Sequence, residues 1–251
     1  MRQLLGRLLS LGLLFSVAAC ASDPDVDAAF SLEETGQKII DGQALDPENS
    51  GFVYLSTPSG HCSGTLMLNQ WVLTAKHCFS QVSSGAQVTV QMGSQTRTGY
   101  RVFLHDTLDV ALLSMRNGMV MNSKTTGWSR PASSVNYADL PKPGSWFICY
   151  GYGSNTRTTA ANPYGTGSGT LRYAAFSAFE LRDNSFVFWP NGNRIPYFGD
   201  SGGGCIDFNG GLLGVHSIGW GQPPVEYFED VRVDKIVEWM FITEWMNIPP
   251  R

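Results

Sequence analysis

Three short segments carry residue types that can do chemistry together: Leu73-Thr74-Ala75-Lys76-His77-Cys78, Asp109-Val110-Ala111-Leu112-Leu113 and Gly199-Asp200-Ser201-Gly202-Gly203. A serine hydroxyl is a poor nucleophile at neutral pH and needs a neighbouring imidazole to take its proton as it attacks. The imidazole can return that proton to a leaving group. A carboxylate can hold the ring in the right tautomer and stabilise its protonated form. His77, Asp109 and Ser201 supply these three types. Taken singly, each segment has a plainer explanation: a strand-edge Asp, a His-Cys pair in a core or disulfide setting, a tight glycine turn. Asp106 competes with Asp109 but lacks the apolar run that follows it.

Taken jointly, and in the order His, Asp, Ser, the segments resemble the trypsin/chymotrypsin-like serine proteases over roughly residues 39–251. An α/β-hydrolase would place its Ser first and needs alternating helices that are missing here. The resemblance implies a serine endopeptidase in which His77 is the general base, Asp109 its orienting partner and Ser201 the nucleophile. Backbone N–H groups of Gly199 and Ser201 are the implied oxyanion donors, and a side chain at Gly199 would crowd that turn. Lys38-Ile39-Ile40-Asp41-Gly42 resembles the family's activation site. Cleavage after Lys38 would free the α-amino group of Ile39 to pair with Asp200, and the uncleaved chain is then an inactive zymogen. The pocket base falls at Ile195, with Phe228 as candidate back wall and Ser217 and Gly219 as the substrate-pairing edge. Without an acidic base, a trypsin-like preference for Lys or Arg is not expected, because the buried charge would be costly. Small or apolar residues at the cleavage position are the leading expectation. His216 precedes Ser217 as a His does in glutamate-specific relatives, so an acidic preference is the alternative; an ordinary place in the barrel interior is the plainer reading of His216. Since this pocket does not favour Lys38, a separate activating protease is expected. The rival to an enzyme is a catalytically silent protease-like binding protein, although such homologues usually lose a triad member.

The elements that must position these residues read as short strands. Apolar runs recur between Gly, Asn, Ser and Pro clusters at Phe52–Leu55, Trp71–Ala75, Val88–Met92, Arg101–His105 and Val110–Met115, and again at Trp146–Tyr152, Leu171–Leu181, Phe186–Trp189, Leu212–Ile218 and Val225–Val231. Between the two groups, Arg116 to Gly144 contains Pro131, Pro141 and Pro143 and reads as a linker. Asp234 to Asn247 reads as a closing helix, with Asp234 as cap, Ile236, Val237, Met240 and Phe241 as docking face, and Pro249-Pro250 as stop. Composition and pattern suggest an all-β pair of small barrels; the resemblance sharpens this to two six-stranded antiparallel barrels and a C-terminal helix. The expected organisation is a signal peptide over 1–19, a tether or pro-segment over 20–38, a first barrel over 39–125, a linker over 126–144, a second barrel over 145–233 and the helix over 234–247.

The first residues read as an export signal: Arg2 and Arg7, a Leu-rich stretch from Leu8 to Val17, then Ala18, Ala19 and Ala21. Val17-Ala18-Ala19-Cys20 reads as a bacterial lipobox that would place a lipid on Cys20. Ordinary cleavage after Ala21 competes, and the lipoprotein is preferred because Cys is rare at such sites. The expected location is the bacterial cell envelope, as an outer-membrane lipoprotein or in the periplasm. The lipid would act as membrane tether until cleavage at Lys38 releases the enzyme. The remaining cysteines, Cys62, Cys78, Cys149 and Cys205, are even in number and allow three pairings. The family's spacing implies Cys62–Cys78. It also implies Cys149–Cys205, as a family bridge displaced by two residues in opposite senses on two antiparallel strands. The net charge of −4 and the lack of Lys/Arg runs give no reason to expect nucleic acid. No metal site or cofactor is expected; the partners are a protein or peptide substrate and the activating protease, and the chain is expected to be a monomer.

Overall fold

The computed structural model describes residues 39–120 and 142–246, apart from 49, 68–69, 158, 162, 164 and 223–224, with backbone alone at 221–222, 225 and 245–246. The expected signal segment, Cys20, Lys38, most of the linker and Asn247 fall outside these residues.

The first group of strands is β2 (Phe52–Thr57), β3 (Gly60–Met67), β4 (Trp71–Thr74), β5 (Thr89–Met92), β6 (Gln95–Leu104) and β7 (Ala111–Met115). They close into an antiparallel barrel in the order β2-β3-β4-β7-β6-β5. Alternation explains the closure. Val90 and Met92 of β5 point inward against Val53, Leu55, Leu66, Leu113 and Met115, while Thr89 and Gln91 face out. A closed barrel leaves no strand edge unpaired.

The second group is β8 (Trp146–Gly151), β9 (Arg172–Leu181), β10 (Ser185–Phe188), β11 (Gly204–Ile206), β12 (Leu212–Gln222) and β13 (Val225–Arg232). Its order is β9-β10-β13-β12-β11-β8, with β8 pairing back to β9, and the two-residue strand β1 (Gln43–Ala44) adds to β9 from outside. Its interior is aromatic: Phe147, Phe176, Phe186 and Phe188 are fully buried, and Phe147 meets Phe186 and Phe188 edge-on at 5.2 and 5.3 Å.

A third cluster lies between the barrels and takes residues from both: Phe52, Trp71, Leu73 and Leu112 from the first, Ile148, Tyr150, Ile206 and Val215 from the second. Phe52 stacks on Tyr150 at 4.1 Å, and the Tyr152 hydroxyl donates to the Phe52 carbonyl at 3.0 Å. The two half-sites carried by the barrels are therefore held in one packed body.

The closing helix, α1, spans Val237–Met246 after a 3-10 turn at Val233–Lys235. Two details differ from the sequence reading. Asp234 lies in that turn, and its carboxylate accepts from the Arg232 guanidinium at 3.0 and 2.7 Å, so it is spent on that pair. Phe241 is 68% exposed; Ile236 and Met240 are the buried docking residues. The Trp239 ring lies edge-on to His105 at 5.1 Å, which ties the helix to the first barrel.

Both disulfides join the pairs implied by the resemblance. Cys62–Cys78 staples β3 to the turn after β4, and Cys149–Cys205 joins directly opposed residues of β8 and β11. Three strands were not read from sequence: β1, β3 and β11. β3 begins Gly-His-Cys-Ser-Gly, and β1 and β11 have two and three residues, too few for a period of two to register.

Candidate active site

His77 lies in a 3-10 turn, Lys76–Phe79, entered directly from β4. Cys78 anchors that turn to β3 through its disulfide. Lys76 anchors it on the other side, donating from Nζ to the carbonyls of His105 (2.7 Å) and Asp106 (3.2 Å) in the loop that leads to Asp109. Asp109 accepts the His77 backbone N–H on Oδ1 at 2.8 Å, and its Oδ2 lies 2.7 Å from His77 Nδ1. An ionised carboxylate only accepts, so the proton sits on Nδ1 and Nε2 keeps its lone pair. Burial disfavours the Asp109 charge, but hydrogen bonds from His77 and from the Ser217 hydroxyl outweigh it and hold its pKa below the ordinary value. Asp106, the rival by sequence, offers only its carbonyl here.

Ser201 comes from the second barrel. Its carbonyl accepts from Ser63 N at 2.8 Å. The next residue, Gly202, has φ +81°, and a Cβ there would collide with Thr74 Oγ1 and fall 2.8 Å from Ala75 N. The loop after Ser201 is thus pressed against the end of β4, three residues before His77. Among the described residues the Ser201 hydroxyl makes no hydrogen bond. The structure sets the Ser201 loop against the end of the strand that leads to His77, and among the described residues it joins only His77 and Asp109 by a direct hydrogen bond. Such contacts commonly tighten when substrate binds.

The turn before Ser201 is shaped by Gly199, at φ +95°. A side chain there would strike the His61 ring and lie 3.1 Å from Gly153 Cα. The carbonyl of Phe198 accepts from Ser154 N, and that of Gly199 from Ser63 Oγ, each at 2.8 Å. The N–H groups of Gly199 and Ser201 have no backbone acceptor among the described residues. Asp200 between them turns inward. Its carboxylate accepts from Gly153 N (2.8 Å) and Tyr197 N (2.7 Å), and a side chain at Gly153 would fall 2.6 Å from its Cγ. Burial raises the Asp200 pKa, against the pull of those two amides. Among the described residues no Lys, Arg or His forms an ion pair with it. Ile39 and Ile40 are already buried at 3% and 9% exposure, and Ile40 bridges to Ile195.

The expected specificity residues divide. Gly219 and Phe228 sit directly opposite each other on β12 and β13, with the Phe228 ring 2.9 Å from where a Gly219 Cβ would lie. Ile195 is fully buried in the aromatic core of the second barrel. His216 is also buried; its Nδ1 lies 2.7 Å from Asp230 Oδ1. Burial alone would lower the His216 pKa, but the Asp230 carboxylate raises it above the ordinary value.

Sequence reasoning gave Ser217 only a backbone role and gave Ser63 none. The ladder of β12 with β13 shifts register between His216 and Ile218. That bulge turns the Ser217 hydroxyl onto Asp109 Oδ2 at 2.6 Å. No local sequence signal marks a bulge of this kind. Ser63 escapes notice because its hydroxyl's partners are more than 80 residues away. Two clusters of metal-ligating types occur among the described residues, Cys62/His77/Cys78 and Cys149/Cys205/Asp230. Each is built on a disulfide, whose sulfurs are not thiolate ligands.

Comparison with known proteins places this geometry among relatives. A family described as Trypsin matches residues 39–240. Trypsin I-P1 of Gallus gallus is 26% identical over 217 residues, covering 78% of this chain and 84% of its own length. Trypsin Blo t 3 of Blomia tropicalis is 25% identical over 228 residues, covering 80% and 84%. Among solved structures, neuropsin, a serine protease expressed in the limbic system of mouse brain, superposes with a TM-score of 0.65 at 20% identity, over 80% of this chain and 97% of its own. A scabies mite inactivated protease paralogue gives 0.64 at 19%, over 80% and 98%. At these identities the two structures speak to the fold.

Proposed function

The chain belongs to the trypsin family, and from that premise we propose that it is a serine endopeptidase acting through an acyl-enzyme, with Ser201, His77 and Asp109 as its triad. Ser201 Oγ attacks the scissile carbonyl while His77 Nε2 takes its proton. The negative oxygen so formed is received by the N–H groups of Gly199 and Ser201. His77 then gives the proton to the leaving amine, and water, deprotonated by the same imidazole, releases the acyl group.

The observation that carries this reading is the Asp109 carboxylate. It grips His77 at both backbone N–H and ring Nδ1, which leaves Nε2 as the free base. A fluorophosphonate probe tests it on chain cleaved after Lys38. Labelling that disappears in Ser201→Ala, together with peptide hydrolysis that disappears alongside it, is the expected result. Cleaved chain that neither labels nor hydrolyses would be a protease-like binding protein. That second reading draws on the mite paralogue, an inactivated protease whose fold is shared.

Activation belongs to the same proposal. Cleavage after Lys38 frees the α-amino group of Ile39, and the buried Asp200 carboxylate is its partner. The preferred cleavage residue is small or apolar, since Phe228 lies across Gly219. The acidic alternative is less favoured, because the His216 imidazole is already committed to Asp230. Export fits the two disulfides, which persist in oxidising compartments. The lipid on Cys20, the envelope location, and release by cleavage at Lys38 complete the reading. Mass spectrometry of the active form should find Ile39 at its N-terminus.

A further inference from the structure

We propose that Ser63 is a positioning residue for the oxyanion turn, pinning from the opposite barrel the Gly199 and Ser201 carbonyls on either side of the peptide that carries the Ser201 N–H; this rests on the endopeptidase reading above. Ser63 sits on β3 of the first barrel and is 1% exposed. All of its polar groups are engaged, and most of their partners lie across the cleft. Its N–H donates to the Ser201 carbonyl at 2.8 Å. Its carbonyl accepts from Thr74 Oγ1 at 2.7 Å, at the end of the strand that leads to His77. Its hydroxyl lies 2.8 Å from Tyr152 N and 2.8 Å from the Gly199 carbonyl. The Tyr152 N–H can only donate, so the hydroxyl accepts from it and sends its single proton to Gly199.

The consequence follows from peptide geometry. Gly199 has no Cβ and sits at φ +95°, so nothing in its own side chain resists rotation of the two peptide planes beside it. One plane is tied by Ser154 N–H on the Phe198 carbonyl. In a trans peptide the N–H points opposite the C=O, so that tie aims the Gly199 N–H away from Ser154. The other plane is tied at both ends, by the Ser63 hydroxyl on the Gly199 carbonyl and by the Asp200 N–H on the Tyr197 carbonyl at 2.9 Å. Ser63 also holds the Ser201 carbonyl, on the same residue as the second donor and one peptide plane beyond it. A single buried residue thus ties the peptide planes on both sides of the Ser201 N–H and links them to the strand that delivers His77.

The test compares full-length wild type, Ser63→Ala and Ser63→Thr, each cleaved after Lys38, with the folded fraction measured by near-UV circular dichroism. Removing one oxyanion donor costs about 10²–10³ in turnover, and a misdirected donor costs less. Ser63→Ala should therefore lose about 10–100-fold in kcat with KM within about twofold, the pattern of an interaction made only in the transition state. Affinity for a peptide boronate should fall in step with kcat, and Ser63→Thr should recover most of both. A purely structural serine would lower the melting temperature and leave the kcat of the folded fraction unchanged; that result overturns the proposal. If Ser63→Ala does not fold, Ser63→Cys keeps the side chain with a weak donor, its native disulfides checked by peptide mapping. Wild-type kcat in that variant also overturns the proposal. Wild type that shows no activity removes the endopeptidase reading, and this proposal with it. An active wild type with an indifferent Ser63 removes this proposal alone.

Discussion

The Ser217 hydroxyl donates to Asp109 Oδ2 at 2.6 Å, from the second barrel to the first. The same oxygen receives His77 Nδ1. The two barrels therefore meet on one carboxylate, and that carboxylate's charge depends on a donor from each. Native-state bonding depresses the Asp109 pKa. A depressed carboxylate contributes stability that is complete above its unfolded value of about 3.9 and is lost as the pH falls through the lower folded value. Ser217→Ala removes one of the donors and lets the folded value rise. The acid-unfolding midpoint, followed by circular dichroism, should move to higher pH.

Asp109→Asn keeps the size of the side chain and changes what it offers to Nδ1. An amide that presents N–H forces the imidazole into the other tautomer, with its proton on Nε2, where it cannot accept from Ser201. In the serine-protease triad this exchange costs about 10⁴ in kcat. The same loss is expected here, with near-native melting, by steady-state hydrolysis of a peptide amide.

The sequence shows the elements where periodicity or motif is local, and hides them where geometry is long-range. Val88, Val90 and Met92 alternate cleanly, and the strand they announce is there as β5, beginning one residue later. Phe241 illustrates the limit. It shares an apolar run with Met240, but only Met240 faces the barrels, and a ten-residue helix with apolar residues on several sides does not declare its buried face. Within the candidate site, His77, Asp109 and Ser201 were legible because their flanking residues are distinctive. Ser63 and Ser217 were not, because their roles arise from a strand pairing across the cleft and from a bulge.

His216 and Asp230 form a buried pair, with Asp230 fully inaccessible and its Oδ2 without a hydrogen bond among the described residues. Breaking such a pair from one side leaves a buried charge and costs about 3–5 kcal/mol. His216→Leu alone should be destabilised by that order in urea unfolding. Asp230→Leu added to it should restore much of the loss, since the uncompensated carboxylate is then gone. A double-mutant cycle measures the coupling. Additive losses would show that the two residues act independently.

If Ile39 becomes the N-terminus, its ammonium faces a carboxylate that burial already disfavours as a charge. Pairing raises the α-amino pKa above its unfolded value of about 7.7–8.0. The contribution of the pair is then full below that value and is lost as the pH rises through the folded one. The cleaved enzyme should lose activity reversibly on the alkaline side, and Asp200→Asn should be inactive at every pH. Activity rates across pH 7–11, with the fold monitored in parallel, separate this from alkaline unfolding.

Specificity should respond to Phe228 more than to Ile195. Phe228 faces Gly219 across the β12–β13 ladder and occupies the space beside the glycine edge, whereas Ile195 lies within the core and bridges to Ile40. Phe228→Ala therefore opens room where a substrate side chain would enter, while Ile195→Ala leaves an internal cavity. The first change should raise kcat/KM for Phe or Leu at the cleavage position relative to Ala. A single methylene accommodated in an apolar pocket is worth about 1–3 kcal/mol, so the ratio should move by at least about 10-fold. The second should lower the melting temperature with little change in that ratio. A peptide-library cleavage profile of the two variants decides it. If Ile195→Ala shifts the ratio and Phe228→Ala does not, the pocket is floored by Ile195 and the Phe228 ring is only core.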